Sequence, residues 1–156
     1  MKKPVSVLVV IHTPALEVLL LERAAQRGFW QSVTGSQEDG ESLIETARRE
    51  VQEETGIHVS TSEIVDWRLC NRFEIFPIWR HRYGPNVTHN DEHVFSLQLA
   101  ERVDIRLAPD EHVAFQWLPW KQAVEQCFSW TNRDALCILP LRHGESVAIK
   151  KMPGRP

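Results

Sequence analysis

Cysteine is scarce in this chain. Its 156 residues include three, Cys70, Cys127 and Cys137, an odd number with no C-x-x-C pair. That argues against a disulfide framework or a cysteine zinc site and for a reducing compartment. Long apolar runs are also missing: nothing approaches the roughly 18 consecutive apolar residues a membrane helix needs. Lys2 and Lys3 ahead of Val5 to Ile11 imitate a secretory leader, but His12 and Pro14 break the stretch and no small-residue cleavage site follows. The stretch therefore reads as a buried first strand, and the protein as cytoplasmic with no membrane partner. A net charge of only −3 gives no electrostatic footprint for nucleic acid, and the small cluster Arg80 to Arg82 with Tyr83 suits a smaller anion. There is no internal repeat, Walker phosphate loop, H-E-x-x-H pair or serine or cysteine nucleophile motif.

What is present is an ordinary globular composition, 42% hydrophobic and 25% charged, of a length for one domain. Val5 to Ile11, Glu17 to Leu21, Ser32 to Thr34, Ile64 to Cys70, Arg72 to Trp79, His93 to Leu99 and Val113 to Leu118 read as strands. A loop is expected around Gly84 to Asn90. Ser42 to Thr55 reads as a helix, opened by the capping-box pair Ser42 and Glu45 and closed at Gly56. Trp120 to Cys127 and Asn132 to Leu139 also read as helical. Residues 1–141 form the expected domain, and the basic stretch 142–156 is expected to be a poorly ordered tail. Mixed strands and helices in this order predict an α/β class with a mixed sheet covered by helices.

Charge is unevenly placed. Between Glu38 and Glu54 lie seven acidic residues and two basic ones, Arg48 and Arg49. At about 100° per residue, Glu50, Glu53 and Glu54 share one arc of a helix. Leu43, Ala47 and Val51 lie on the neighbouring arc, so the carboxylate stripe borders the core. Like charges at these spacings repel. Two readings remain at this point: a solvated helix face, with Arg49 as partial counter-charge, or a site for hard cations.

The wider spacing adds a resemblance. Gly35, Glu41, Arg49, Glu50, Val51, Glu53, Glu54, Gly56 and Ile57 fall on all nine defined positions of G-x5-E-x7-R-E-U-x-E-E-x-G-U, where U is aliphatic. This resembles the Nudix hydrolase signature, and a chance match is on the order of one in ten million. The resemblance implies an α/β/α sandwich with a catalytic loop–helix–loop, and hydrolysis of a diphosphate-linked compound with Mg²⁺ or Mn²⁺. It implies Glu50, Glu54 and the Gly35 carbonyl as metal ligands, Glu53 as a third ligand or base, Arg49 as the residue orienting them, and Glu41 as a brace. A bound cation reverses the field of an acidic site that would otherwise repel phosphates.

Flanking segments sharpen the resemblance. Lys-Lys-Pro-Val-Ser-Val-Leu-Val-Val opens the chain and Phe-Trp-Gln-Ser-Val-Thr-Gly leads into the box. Phe-Glu-Ile-Phe occupies 73–76, Arg-His-Arg-Tyr 80–83 and Ser-Trp-Thr-Asn-Arg 129–133. These are similar to the family branch that converts 7,8-dihydroneopterin triphosphate to the monophosphate and pyrophosphate in folate biosynthesis. The implied route is attack of metal-activated water on the β-phosphorus. The implied substrate contacts are Lys2, Arg23, Thr34, Phe73, Glu74, Ile75, Phe76 and Ser129, and Glu111 is the implied further metal ligand or base. Residue chemistry is compatible: Arg23 can grip phosphate bidentately or form a surface ion pair, and Lys2 can contact the substrate or stay solvated. Phe73 and Phe76 can sandwich a flat ring or pack in the core. The competing expectations are a housecleaning diphosphatase for NTPs or dNTPs and a non-catalytic ligand-binding module of the same fold, whose mark would be an eroded box.

Overall fold

The computed structural model describes residues 1–150, and from 143 onward the backbone alone. Strand β1 (Val5–His12) is the centre of a seven-stranded mixed sheet. Around it lie β2 (Glu17–Arg23), β3 (Trp30–Gln31), β4 (Val33–Ser36), β5 (Ile64–Glu74), β6 (His89–Gln98) and β7 (His112–Pro119). The main path runs β3-β2-β1-β6-β5, with β4 paired to β1 and β7 to β2. The β1–β6 pair is parallel and the others are antiparallel.

The alternation along β1 explains the layers. Val7, Val9 and Ile11 face a cluster with Leu21, Phe95, Ala47 and Val51, the last two on helix α1 (Leu43–Thr55). Leu8 and Val10 face the opposite cluster, with Val94, Trp67, Ala123 and Leu136. Ala123 belongs to α2 (Trp120–Gln126) and Leu136 to α3 (Trp130–Lys150). A strand covered on both faces becomes a nearly unbroken apolar run, and from Ser6 to His12 every residue of β1 is buried. Each such aliphatic side chain contributes about 1.5–3 kcal/mol. The result is the expected α/β/α sandwich.

Helix α1 begins and ends as its sequence dictates. Ser42 Oγ accepts from Glu45 N at 3.4 Å, and Glu45 Oε2 accepts from Ser42 N at 3.2 Å. Gly56 closes the helix at φ 76° with its N–H donated to Gln52 O, a left-handed position that suits glycine.

Elsewhere the boundaries differ from expectation. The runs expected as two strands near Ile64 to Cys70 and Arg72 to Trp79 are one strand, β5, ending at Glu74. What looked like a break is an irregularity: Arg68 takes φ 53°, its N–H bonds Asp66 Oδ1, and the register shifts between Asp66 and Cys70. Pro77, which has no N–H to give a ladder, opens a 3₁₀ turn over Pro77–Arg82. Strand β6 starts at His89, inside the expected loop. The boundary expected at 141 falls within α3, which continues through Pro140 to Lys150. The rest of the expected tail, 151–156, lies outside the described residues. Among the described residues no helix is long and apolar enough to cross a membrane.

Candidate active site

A cleft of about 830 Å³ opens beside the C-terminal part of β4, lined by the acidic group of Glu50, Glu54 and Glu111 with Gly35 and His112, and by the cationic group of Lys2, Arg23 and Arg82. An adjoining cavity of about 300 Å³ shares Lys2, Arg23, Thr34 and Gly35 with it and runs on to Phe73, Glu74, Ile75, Phe76, Trp79, Phe128 and Ser129.

The acidic wall is built on α1. Glu50 and Glu54, four residues apart, are both buried. Burial raises both carboxyls above their ordinary range, the Glu50 charge pushes Glu54 further, and the two share a hydrogen bond. Position 35 makes room for this. A Cβ there would lie 2.0 Å from Glu50 Cδ, so only glycine lets the carboxylate rest against β4.

Arg49 organises the outer side. It grips Glu41 with Nε at 2.7 Å and Nη2 at 2.9 Å, a bidentate pair of the strong charge-assisted kind. Its Nη1 donates to Glu50 Oε1 at 2.7 Å and Nη2 to Ser36 O at 3.0 Å. The Arg49 hydrogen bonds hold the Glu41 carboxyl down at about 2. Glu53 also goes to Arg49, at 3.2 Å, and stays half exposed. The structure therefore does not bring Glu53 into the cleft with the other carboxylates, because one helical step turns it to the solvent side of Arg49.

Glu111, just before β7, does join. One carboxylate oxygen of Glu54, one of Glu111 and one ring nitrogen of His112 lie within 4.8 Å of one another. His112 was not among the residues expected here. Burial first, and the Arg23 charge second, lower it to about 4, so it is neutral at neutral pH. Its Nδ1 approach to Glu54 Oε1 at 3.9 Å is accordingly no ion pair. The tautomer follows from the hydrogen-bond network. Arg23 Nη1 donates to Gln31 Oε1 at 3.3 Å, which turns Gln31 Nε2, a donor, toward His112 Nε2 at 3.1 Å. His112 Nε2 therefore accepts, and Nδ1 carries the proton toward Glu54.

A divalent cation fits this wall. Glu54 Oε1 is buried with no hydrogen-bond partner, and two adjacent carboxyls lack a counter-charge on their inner side. With His112 Nδ1 protonated, the donors facing the cleft are carboxylate and carbonyl oxygens, the set that hard cations prefer.

The opposite wall is cationic. Burial, then Arg82 and Arg23, lower Lys2; burial, then Arg82, lower Arg23. Crowded, partly desolvated cations of this kind are a ready anion site. Lys2 is placed by its backbone N–H to Arg82 O at 2.8 Å. Arg23 lies 4.6 Å over the Trp79 ring. The Thr34 N–H bonds Glu54.

The aromatic cavity differs from the expected Phe73 and Phe76 sandwich. The stacked pair is Phe76 on Trp79, centroids 5.1 Å apart at 13°, with Phe128 edge-on to both. Phe73 and Ile75 line it, and Glu74 pairs with Arg80 at 2.5 Å. Ser129 Oγ accepts from Asn132 N at 3.3 Å at the start of α3.

The NUDIX domain model matches residues 2–138. The chain is 44% identical over 138 residues to dihydroneopterin triphosphate diphosphatase of Escherichia coli K12, covering 86% of this chain and 91% of that one. It is 40% identical over 134 residues to the Haemophilus influenzae protein of the same name, covering 84% of each. Among solved structures, that of the E. coli dihydroneopterin triphosphate pyrophosphohydrolase superposes with a TM-score of 0.81 at 43% identity, covering 86% of this chain and 93% of that one.

Proposed function

From the premise that this chain belongs to the Nudix hydrolase family, we propose that it removes pyrophosphate from 7,8-dihydroneopterin triphosphate and leaves the monophosphate, with Mg²⁺ as cofactor. The observation that carries this reading is the contiguity of three surfaces: an oxygen-lined acidic wall, a cationic wall of Lys2, Arg23 and Arg82, and an aromatic cavity. They match a metal, a triphosphate and a flat ring in that order. The relatives' names agree with it.

Glu50, Glu54, Glu111 and the Gly35 carbonyl would hold the metal. When bound, Mg²⁺ neutralises phosphoryl oxygens and makes a coordinated water acidic. Arg49 fixes the Glu50 carboxylate, and Glu41 fixes Arg49. Lys2 and Arg23 hold the triphosphate, Thr34 borders it, and Ser129 and the 73–76 segment flank the ring. Glu111, exposed at the cleft, is the candidate to take the proton from the attacking water, since Glu53 faces away. Attack at the β-phosphorus breaks the bond to the α-bridging oxygen, so the water oxygen leaves in pyrophosphate. No nucleic acid or membrane partner enters the reading.

Hydrolysis in ¹⁸O-water tests it. Dihydroneopterin triphosphate should be consumed in preference to NTPs and dNTPs, releasing pyrophosphate that carries the label. Preference for a nucleotide would leave the family chemistry and overturn the substrate. Label in the monophosphate would overturn the point of attack.

A further inference from the structure

The face of the sheet that looks toward α3 changes character along its length. On β1 and β6 the paired positions Leu8 and Val94 are apolar and buried, but the next pair toward the cavity is Ser6 and Glu92, followed by Asn90. Glu92 is 5% exposed and lines the aromatic cavity. Burial pushes its carboxyl up to about 7, although the Thr131 hydroxyl donates to it, and Oε1 is buried without a hydrogen-bond partner. Asn90 donates Nδ2 to Ser6 Oγ at 2.7 Å, which leaves its Oδ1 bare. Trp79 Nε1, a donor, is bare as well.

Native proteins rarely leave buried polar atoms unpaired, and a carboxylate least of all. A purely structural role for Glu92 would be better filled by the aliphatic residues that occupy the same face two positions on. Three unpaired atoms at one cavity, two of them acceptors and one a donor, instead describe the complement of a ligand. The ligand must be flat, to enter a cavity walled by Phe76, Trp79 and Phe128, and must present adjacent N–H donors flanked by a carbonyl. A 2-amino-4-oxopyrimidine ring fused into a pterin has that edge, and guanine shares it. An adenine or cytosine ring does not, since each sets a bare acceptor nitrogen beside its amine.

We propose that Glu92, assisted by Asn90, is the specificity-determining carboxylate of this enzyme and reads the amino–imino edge of the substrate's heterocycle. The proposal rests on the proposed function for where the phosphates lie, and deepens it by naming what recognises the ring. Neither residue belongs to the acidic wall, so neither touches the reacting phosphorus.

The test is a calorimetric comparison of pterin with pteridine-2,4-dione, which carries an oxygen where pterin carries the amine. The wild-type protein should bind pterin at least about tenfold more tightly, since a site built to hydrogen-bond a group rejects the analogue lacking it. Glu92→Gln, which preserves shape, should collapse that ratio to about unity. A role in folding alone would not move the ratio. Equal affinities in the wild type overturn the proposal with no variant needed, as does no pterin binding at about 1 mM, the weak end of specific affinity. An unchanged ratio in Glu92→Gln overturns it too. If the ratio behaves as expected while dihydroneopterin triphosphate is not hydrolysed, the proposed reaction falls and ring reading stands.

Discussion

Replacing Gly35 by alanine separates catalysis from stability. The backbone at 35 is not left-handed, so the added methyl group meets no conformational barrier. It meets Glu50: Cδ at 2.0 Å, Cγ at 2.4 Å and Oε1 at 2.4 Å, where ordinary contact begins at 3.4 Å. The obstacle is the far end of a flexible side chain, so the fold survives by moving it. Overpacking of this kind costs about 1–3 kcal/mol, a Tm loss of roughly 2–4 °C per kcal/mol for a chain of this size. The carboxylate must retreat by ~1.4 Å, and misplacing a catalytic group by 1 Å costs on the order of 10²-fold in rate. Retreat also takes Oε1 away from Arg49 Nη1, now at 2.7 Å. The expectation for G35A is therefore a loss of about 10²-fold or more in kcat/KM, with a still cooperative melt about 2–12 °C lower and weakened Mg²⁺ binding by calorimetry. Turnover within about tenfold of wild type would refute the reasoning, since the close approach at β4 would then be incidental.

Glu54→Gln should abolish turnover; in EDTA its melting temperature should equal or exceed wild type, because the substitution removes a buried charge beside Glu50, and Mg²⁺ should raise the melt of wild type far more than that of the variant. Glu41→Gln should cost about 1–3 kcal/mol by urea denaturation at neutral pH, the worth of charge-assisted hydrogen bonds to Arg49. Because the Glu41 carboxyl is held down at about 2, its stabilisation is full above the ordinary carboxylate range and disappears as pH falls toward 2, so the two curves should converge there. His112 is held down to about 4; its unfolded form takes up a proton first as pH falls, so stability should decline from about pH 6.5 toward 4, and this part of the decline should be absent in His112→Asn.

The residues that act through neighbours in sequence were legible in the chain alone. Ser42 and Glu45 cap α1, Gly56 ends it, and Glu50 and Glu54 come together because a helix turn spaces them. The apolar alternation that buries β1 on two faces was equally plain. Failures came where distant segments decide. Arg68 takes a left-handed turn inside β5 that its own type does not announce, so one strand read as two. Glu53 looks equivalent to Glu54 on a helical wheel, but Arg49 holds it outside the cleft. His112 stands beside Glu111 in sequence, and its role follows only from Gln31, 81 residues away. Trp79 and Phe128 sit in a turn and a loop with no periodicity, and only the fold stacks them around one cavity with Phe76. Glu92 reads as an ordinary strand-end charge until the register places it opposite Ser6 on a covered face.

The same division explains how the cleft is wired. Two of its acidic residues, Glu50 and Glu54, come from one helix and are therefore local, while Glu111 comes from the segment before β7 and the basic half is assembled from the N-terminus, the end of β2 and the turn after β5. Neither half is electrostatically content alone. Burial pushes Glu50 and Glu54 toward protonation, with the Glu50 charge adding to it at Glu54, and burial with like-charge repulsion pulls Lys2 and Arg23 toward losing their protons. Coulombic relief between the walls is incomplete, because the carboxylates that face the cleft do not form ion pairs with those cations. The atoms that remain unpaired on the acidic side accept, and the groups crowded on the basic side donate. A polyanion carrying a divalent cation satisfies both at once, whereas a free metal or a free triphosphate satisfies one. Mg²⁺ and a triphosphate analogue should therefore bind cooperatively, each tightening the other by the same factor. Titration of each with and without the other measures that factor, and a value of one would show that the two walls work independently.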